Sequence, residues 1–177
     1  MKKPAASRRQ FLKATGLAAA GVILSPRDAT ARALSPSHSP LTATKPDETI
    51  PADYTLHIQA TPLEIAPNHI VSVNTYNGQF PGPLLRMKEG RQVIVDAYND
   101  TDTPEQLHWH GQMIPTDVDG AAEEGTPYIP AQGKRRIVFT PKPAGFRFYH
   151  THNRAGADLS AGLYSGQAGA VYIEPRQ

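Results

Sequence analysis

The 177-residue chain contains no cysteine and a single tryptophan. Without cysteine it can form neither a disulfide bond nor a thiolate–metal bond, so a hydrophobic core must stabilise the fold and any metal must take other ligands. A long apolar run is also missing, because the Ala- and Gly-rich segment 14–24 is shorter than the roughly 20 residues that span a bilayer. The sequence therefore excludes a disulfide scaffold and argues against a transmembrane helix.

The first 33 residues have the pattern of a twin-arginine export signal. The letters SRRQFLK at 7–13 precede the weakly apolar segment 14–24, and small residues at Ala29, Ala31 and Ala33 offer cleavage sites. We predict a signal peptide over 1–33, a periplasmic location and no membrane anchor after cleavage. The twin-arginine route carries folded proteins, often with a metal or cofactor already in place, so the signal itself hints at such a site.

The net charge of the chain changes sign once this signal is removed. The full chain has a formal net charge of +2 from 18 Lys and Arg and 16 Asp and Glu residues. Residues 1–33 hold seven of the basic and one of the acidic residues, which leaves 11 basic and 15 acidic residues and a net charge of −4. A nucleic-acid partner needs a clustered basic face, so none is predicted.

Residues 34–52 are rich in Pro, Ser, Thr and Ala and have few apolar side chains, which predicts a flexible lead-in. One domain should follow over 53–177. Its apolar residues alternate with period two in short segments, separated by turn signals such as Asn77-Gly78 and Glu89-Gly90. The alternation predicts strands in YTLHIQA, HIVSVNTY, RQVIVDAYN, 107–110, 135–140, 146–150 and 168–173, and Leu84 and Leu85 are expected to enter a further strand after the Pro- and Gly-rich bend at 80–83.

The sequence has no long amphipathic helix. Seven or eight short strands at this spacing predict an all-β fold, an antiparallel β-sandwich with Greek-key connections.

Two His-x-His pairs are the main chemical signal. His108 and His110 flank Trp109, and His150 and His152 repeat the spacing. Successive side chains of a strand point to opposite faces, so each pair offers two imidazoles on one face. Neutral imidazole suits copper, zinc, iron and nickel, and the residue types leave copper and zinc both open. A blue-copper centre is excluded because it needs a cysteine ligand.

Several ordered motifs resemble one family. HWHGQ, VDG and FRFYHTH follow YNGQFPGPLLRMKEG and precede LYSGQAGAVYIEP. Together they resemble the N-terminal cupredoxin (plastocyanin-like) domain of the multicopper oxidases, a laccase-like family, from about Tyr54 to Pro175. The resemblance implies a cupredoxin-like Greek-key β-sandwich with copper as its cofactor.

In that family the first domain supplies half of the ligands of a trinuclear copper cluster. Carried onto this chain, the resemblance implies that His108 is the type 2 copper ligand and that His110, His150 and His152 serve the type 3 pair. Asp119 matches the acidic residue that helps deliver protons to bound oxygen, although an Asp-Gly turn residue is the alternative. The AAEEG run departs from the family pattern, and we interpret Glu123 and Glu124 as solvated charges. The glycines at 162, 166 and 169 around Tyr164 are interpreted as close strand packing near the site.

Complete members of the family also have a second cupredoxin domain with a cysteine-containing copper site and four more histidines. These 177 residues contain neither. We therefore do not expect this chain alone to reduce oxygen to water by the family mechanism, and whether it acts as an oxidoreductase stays open.

Three hypotheses follow. The chain supplies half of a copper cluster that a second cupredoxin polypeptide or another copy of the chain completes, or it is the front half of a longer oxidase. Alternatively, it is a stand-alone periplasmic copper-binding or buffering protein without oxidase activity. The third hypothesis is a structural protein that has abandoned metal, which the four retained histidines disfavour.

Overall fold

The computed structural model describes residues 46–153, 162–163 and 166–176. The predicted signal peptide and residues 34–45 of the lead-in lie outside the described residues. Within the described ranges the chain forms eight strands: β1 (Tyr54–Ala66), β2 (His69–Tyr76), β3 (Gly82–Lys88), β4 (Val93–Asn99), β5 (His108–His110), β6 (Gly133–Phe139), β7 (Gly145–His150) and β8 (Ala168–Glu174). Between β5 and β6 lie a one-turn helix, α1 (Thr116–Asp119), and a 3₁₀ turn (Ala122–Glu124). No helix in the described ranges is long and apolar enough to cross a bilayer.

The strands form two four-stranded sheets, as the all-β sandwich prediction requires. Their orders are β2-β1-β4-β6 and β3-β8-β7-β5. The expectation of purely antiparallel sheets was wrong in one respect, because β1 pairs with β4 and β3 with β8 in parallel. Apolar alternation fixes which side chains face the core but not strand direction, which depends on how each connection crosses between the sheets.

The core lies where the inner faces of the two sheets meet. Val93, Val95 and Ala97 on β4 are all buried, as their alternation predicts. The Trp109 ring of β5 lies 4.8 Å from the Phe139 ring of β6, so one contact joins an edge strand of each sheet. Aromatic rings bury large apolar areas, so this contact helps to hold β5 of one sheet against β6 of the other.

β2 shows that alternation does not guarantee burial. Ile70 and Val71 lie at the start of this edge strand and are exposed, although the pattern predicts one buried face. Ile70 pairs with Glu64 near the end of β1, where both strands of the hairpin are exposed.

Charged side chains also tie β6 to β4 and to the segment that precedes β1. The guanidinium of Arg136 donates two hydrogen bonds to the Asp96 carboxylate on β4, both at 2.8 Å. Lys134 Nζ donates to Glu48 Oε2 at 2.8 Å, and Arg136 Nη1 donates to the Ile50 carbonyl at 2.8 Å. The last residues of the predicted lead-in therefore contact the first sheet.

Candidate metal centre

Strand pairing brings the two histidine pairs together. β5 and β7 are antiparallel neighbours in a register that sets His108 opposite His150 and His110 opposite Phe148. The two pairs therefore share one end of the second sheet. One potential ligand atom from each of His108, His110 and His150 lies within 4.8 Å of the others. Strand alternation predicted that His108 and His110 share one face, and both lie on β5. The same argument does not extend to the second pair, because β7 ends at His150 and His152 follows it. The register adds the proximity of His150 to the first pair.

Trp109, between the histidines of the first pair, and Tyr149, directly before His150, are directed into the core. Trp109 and Tyr149 are both almost completely buried, and their rings lie 6.0 Å apart. This agrees with the predicted alternation, which placed Trp109 on the face opposite to its flanking histidines. The strands that carry the imidazoles are thus anchored to the core by buried aromatic side chains.

Two imidazoles face each other directly. His110 Nδ1 lies 3.2 Å from His150 Nε2. His110 is exposed and its ring stacks on Phe148 with centroids 4.2 Å apart, whereas His150 is buried. Two ring nitrogens at this distance can share a proton or be drawn to the same metal site.

Backbone carbonyls orient two of the rings. His108 Nδ1 donates to the carbonyl of Asp119 at 2.8 Å, and His150 Nδ1 donates to the carbonyl of Thr151 at 2.7 Å. Because a carbonyl only accepts, each Nδ1 must carry the proton in these contacts. Nε2 of each neutral ring is then left with the lone pair that binds a metal.

Burial lowers the pKa of His150 below its ordinary value; the hydrogen bond to the Thr151 carbonyl opposes this, and the three neighbouring imidazoles add to it. At neutral pH this ring is therefore held in the neutral form that a metal requires. A set of three nitrogen donors without thiolate fits copper, and it fits zinc as well.

His152 lies next to this trio but outside it. Its ring centroid is 4.9 Å from that of His108 and 6.1 Å from that of His150. Its Nδ1 lies 3.2 Å from Glu123 Oε1. Glu123 was interpreted as a solvated charge, yet the 3₁₀ turn carries it to a predicted site residue. The departure of AAEEG from the family pattern was the one signal in the sequence that pointed to this loop.

Asp119 lies against His108 through two of its atoms. Besides the carbonyl contact, its Oδ2 is 3.2 Å from His108 Nδ1. Burial raises the pKa of the Asp119 carboxyl above its ordinary value, while His108 opposes that rise. The sequence-predicted acidic residue therefore shares the environment of the histidines.

Gly120 makes the approach of Asp119 possible. Its φ is +91°, and a Cβ at this position would lie 2.0 Å from the Leu107 carbonyl oxygen and 2.5 Å from His108 Cα. The backbone of VDG thus passes directly over the start of β5, where only glycine has room.

The remaining histidines take other positions. His57, on β1, stacks on Tyr98 with centroids 4.8 Å apart and pairs with Asp100. His69 Nδ1 contacts the Pro67 carbonyl, and neither residue joins the trio. His38 and Tyr164 lie outside the described residues. At Gly169 a Cβ would lie 2.2 Å from the Tyr149 hydroxyl oxygen, in keeping with the predicted close strand packing.

A buried polar pair, which the sequence did not predict, lies next to the histidine pairs. Glu105 and Thr151 are almost completely buried, and Thr151 Oγ1 donates to Glu105 Oε2 at 2.9 Å. Thr151 lies between the histidines of the second pair. A threonine directly after a strand and a glutamate shortly before one carry no distinctive pattern, so the sequence offered no signal for this contact.

Comparison with known proteins supplies a family. Residues 57–177 match the family model described as multicopper oxidase. The chain is 33% identical over 175 residues to the copper resistance protein A of Pseudomonas syringae pv. tomato. It is 30% identical over 161 residues to the multicopper oxidase MmcO of Mycobacterium tuberculosis. These alignments cover 97% and 89% of this chain but 26% and 31% of the relatives.

Solved structures agree with this result. The blue copper oxidase of Nitrosomonas europaea superposes with a TM-score of 0.63 at 27% identity, over 70% of this chain and 39% of that one. A multi-copper oxidase from Pseudomonas thermotolerans gives 0.62 at 28% identity, over 72% and 31%. The chain thus spans between a quarter and two-fifths of the length of these proteins.

Proposed function

The chain belongs to the multicopper oxidase family, and we propose that its four paired histidines supply half of a trinuclear copper site. It is a cupredoxin-like domain of that family, and copper is the cofactor that the family implies. The single observation that carries the proposal is the convergence of His108, His110 and His150 within 4.8 Å on neighbouring strands. His152, one residue beyond Thr151, is the fourth proposed ligand.

Each proposed ligand has a defined part. His108 and His150 would bind through Nε2, because their Nδ1 atoms donate to carbonyls. His110 would bind through Nδ1, the atom that faces His150. Copper, when bound, would supply the electron transfer by which the family couples substrate oxidation to oxygen reduction. We assign the carboxylate of Asp119 to holding and delivering a proton at Oδ2, beside His108.

Completion of such a cluster needs ligands from outside these residues. A second cupredoxin domain, as part of a longer chain, as a separate polypeptide or as another copy of this one, would close it over the exposed His110. We further propose that residues 1–33 are a twin-arginine signal and that the domain over 53–177 acts in the periplasm. N-terminal sequencing of the periplasmic protein tests this, because a chain that begins near residue 34 is expected.

The first experiment is to measure the copper-to-chain ratio across a size-exclusion peak of the protein purified from the periplasm. Copper that travels with a larger complex is the expected result. Mass spectrometry of that peak then identifies the second cupredoxin polypeptide. A metal-free monomer that takes up no added Cu(II) would contradict the proposal.

A stand-alone copper-binding module is the second candidate. It is favoured by one feature, namely that the three nitrogen donors of the trio all come from a single chain. This candidate predicts a monomer that carries about one or two copper ions and shows no oxidase activity. His150→Ala should lower that stoichiometry, and unchanged stoichiometry would rule the candidate out.

A further inference from the structure

A second layer of contacts beneath the histidine pairs is built on the carboxylate of Glu105. Its Oε2 accepts a hydrogen bond from Thr151 Oγ1 at 2.9 Å, and both residues are almost completely buried. Glu105 precedes His108 by three residues, and Thr151 separates His150 from His152. One side-chain contact therefore connects the segment leading into the first pair with the centre of the second pair.

Thr151 uses all of its polar groups. Its N–H donates to the Gln167 carbonyl at 3.2 Å, and its own carbonyl accepts from His150 Nδ1 at 2.7 Å. Its hydroxyl donates to Glu105 and accepts from the Asn153 N–H at 3.1 Å. Because the same residue carries the His150 contact and the Glu105 contact, a shift of the Thr151 backbone away from Glu105 moves the carbonyl that orients the His150 ring.

Glu105 is itself held firmly. Its N–H donates to the Ile129 carbonyl at 2.9 Å, and its carbonyl accepts from the Ile129 N–H at 2.8 Å. A second hydrogen bond joins the same two segments, since Asn153 Nδ2 donates to the Pro104 carbonyl at 3.0 Å. The two segments are thus joined at two points, Glu105 to Thr151 and Pro104 to Asn153.

A buried carboxylate is a costly group at a position that packing alone would fill with an apolar side chain. Burial raises the pKa of Glu105, with the Thr151 hydroxyl and the Gln106 N–H opposing that rise by their hydrogen bonds. The hydrogen bond from Thr151, which lies between two proposed ligands, therefore offsets part of the cost of burying the Glu105 carboxylate.

We propose that Glu105 is a positioning residue of the metal centre, whose hydrogen bond to Thr151 holds the His150–His152 pair in place against the His108–His110 pair. This inference rests on the proposed function only in that copper is taken as the metal that the histidine pairs bind. The positions of the imidazoles are a property of the metal-free chain and are measurable without copper.

The test compares variants of the full chain by Cu(II) titration and by imidazole ¹H–¹⁵N spectra of the metal-free protein. Thr151→Val removes the hydroxyl at constant volume, and Glu105→Leu removes the carboxylate. Each is expected to weaken Cu(II) binding about 10- to 100-fold, the range found when an outer partner of a metal ligand is lost. Each should also shift the His150 and His152 imidazole signals. Thr151→Ser and Glu105→Gln keep an oxygen at each end and should restore both readouts.

The double variant Glu105→Leu/Thr151→Val should bind Cu(II) no more weakly than the weaker single variant, because both changes remove one interaction. Asp96→Asn is the matched control, since it alters a buried carboxylate of the other sheet. It should leave the Cu(II) affinity and the imidazole signals of the folded protein unchanged.

The outcomes separate the two proposals. If folded Thr151→Val leaves both the Cu(II) affinity and the imidazole signals as in the wild type, the positioning role of Glu105 is overturned. If the wild-type chain binds no Cu(II) while Thr151→Val and Glu105→Leu still displace the His150 and His152 signals, the copper function is overturned and the positioning role stands.

Discussion

At the scale of single residues, the ring of His108 connects every part of the candidate centre. It contacts Asp119 through Nδ1, and its ring lies within 5.7 Å of the centroids of His110, His150 and His152. Removal of this ring should therefore affect the site more than removal of any histidine at its edge.

His108→Ala is expected to weaken Cu(II) binding by more than about tenfold, because a ligand contributes at least as much as an outer partner. Competition titration with a chelator of known affinity measures this. His57→Ala is the control, since His57 lies in the other sheet and stacks on Tyr98. Equal affinities for the two variants would count against the assignment of His108.

Gly120 and Gly125 provide a matched steric comparison. Both have positive φ, +91° and +102°, but a Cβ at Gly120 would meet the Leu107 carbonyl whereas one at Gly125 would meet nothing within 4 Å. Gly125→Ala should lower the free energy of unfolding by about 1–2 kcal/mol, the left-handed penalty alone.

Gly120→Ala should exceed that loss by about 2 kcal/mol or more, because the backbone over β5 must move. Urea denaturation of both variants measures the difference. Similar losses for the two variants would show that the loop yields to the added methyl group.

The sequence predicted the residues of the centre better than it predicted their supports. Period-two alternation is enough to place His108 and His110 on one face and Trp109 on the other. Glu105 and Glu123 could not be found in that way, because their contacts with Thr151 and His152 join segments that are distant in sequence. No local sequence pattern predicts the loop conformations that bring these residues together.

At the scale of strands, β4 and β6 are joined by charge as well as by backbone pairing. Asp96 accepts two hydrogen bonds from Arg136, and these contacts lower the pKa of Asp96 below its ordinary value. A carboxyl with a lower pKa in the folded state stabilises that state above its unfolded pKa of about 4. The contribution is lost as the pH falls through the lower folded-state pKa.

Asp96→Asn should therefore unfold at a lower urea concentration than the wild type at pH 7, because Arg136 loses its partner. The gap between the two midpoints should narrow steadily below about pH 4 as the wild-type carboxyl takes up a proton. Urea midpoints across this pH range provide the measurement. A gap that is constant with pH would show that the charge of Asp96 is not the cause.

The strands themselves follow from the sequence, but their directions do not. Alternating apolar residues predicted seven of the eight strand regions, since a sandwich buries one face of each strand, and the bend at 80–83 indicated that β3 follows it. The parallel pairs β1–β4 and β3–β8 depend on connections between the sheets. The exposure of Ile70 depends on how far β1 and β2 extend past the core.

At the scale of the whole molecule, binding of metal at one end of the sandwich should stabilise all of it. A ligand that binds only the native state raises the free energy of unfolding by about 2.7 kcal/mol when its free concentration is 100 times its dissociation constant. For a domain of this size this corresponds to a rise in Tm of about 5–10 °C.

We expect this rise for the wild type with Cu(II), measured by thermal unfolding followed by circular dichroism. The His108→Ala/His150→Ala double variant should show no rise, because two of the three converging nitrogens are gone. A rise of the same size in that variant would place the stabilising copper elsewhere in the protein.

The position of Trp109 gives the molecule a signal of its own. The only indole of the chain is enclosed in the core directly between two proposed ligands, and it packs on Phe139 of the opposite sheet. Paramagnetic Cu(II) quenches the fluorescence of a nearby indole, whereas Zn(II) does not. Emission from this one fluorophore therefore reports occupancy of the adjacent site in real time, distinguishes the two metals that imidazole accepts, and needs no added label.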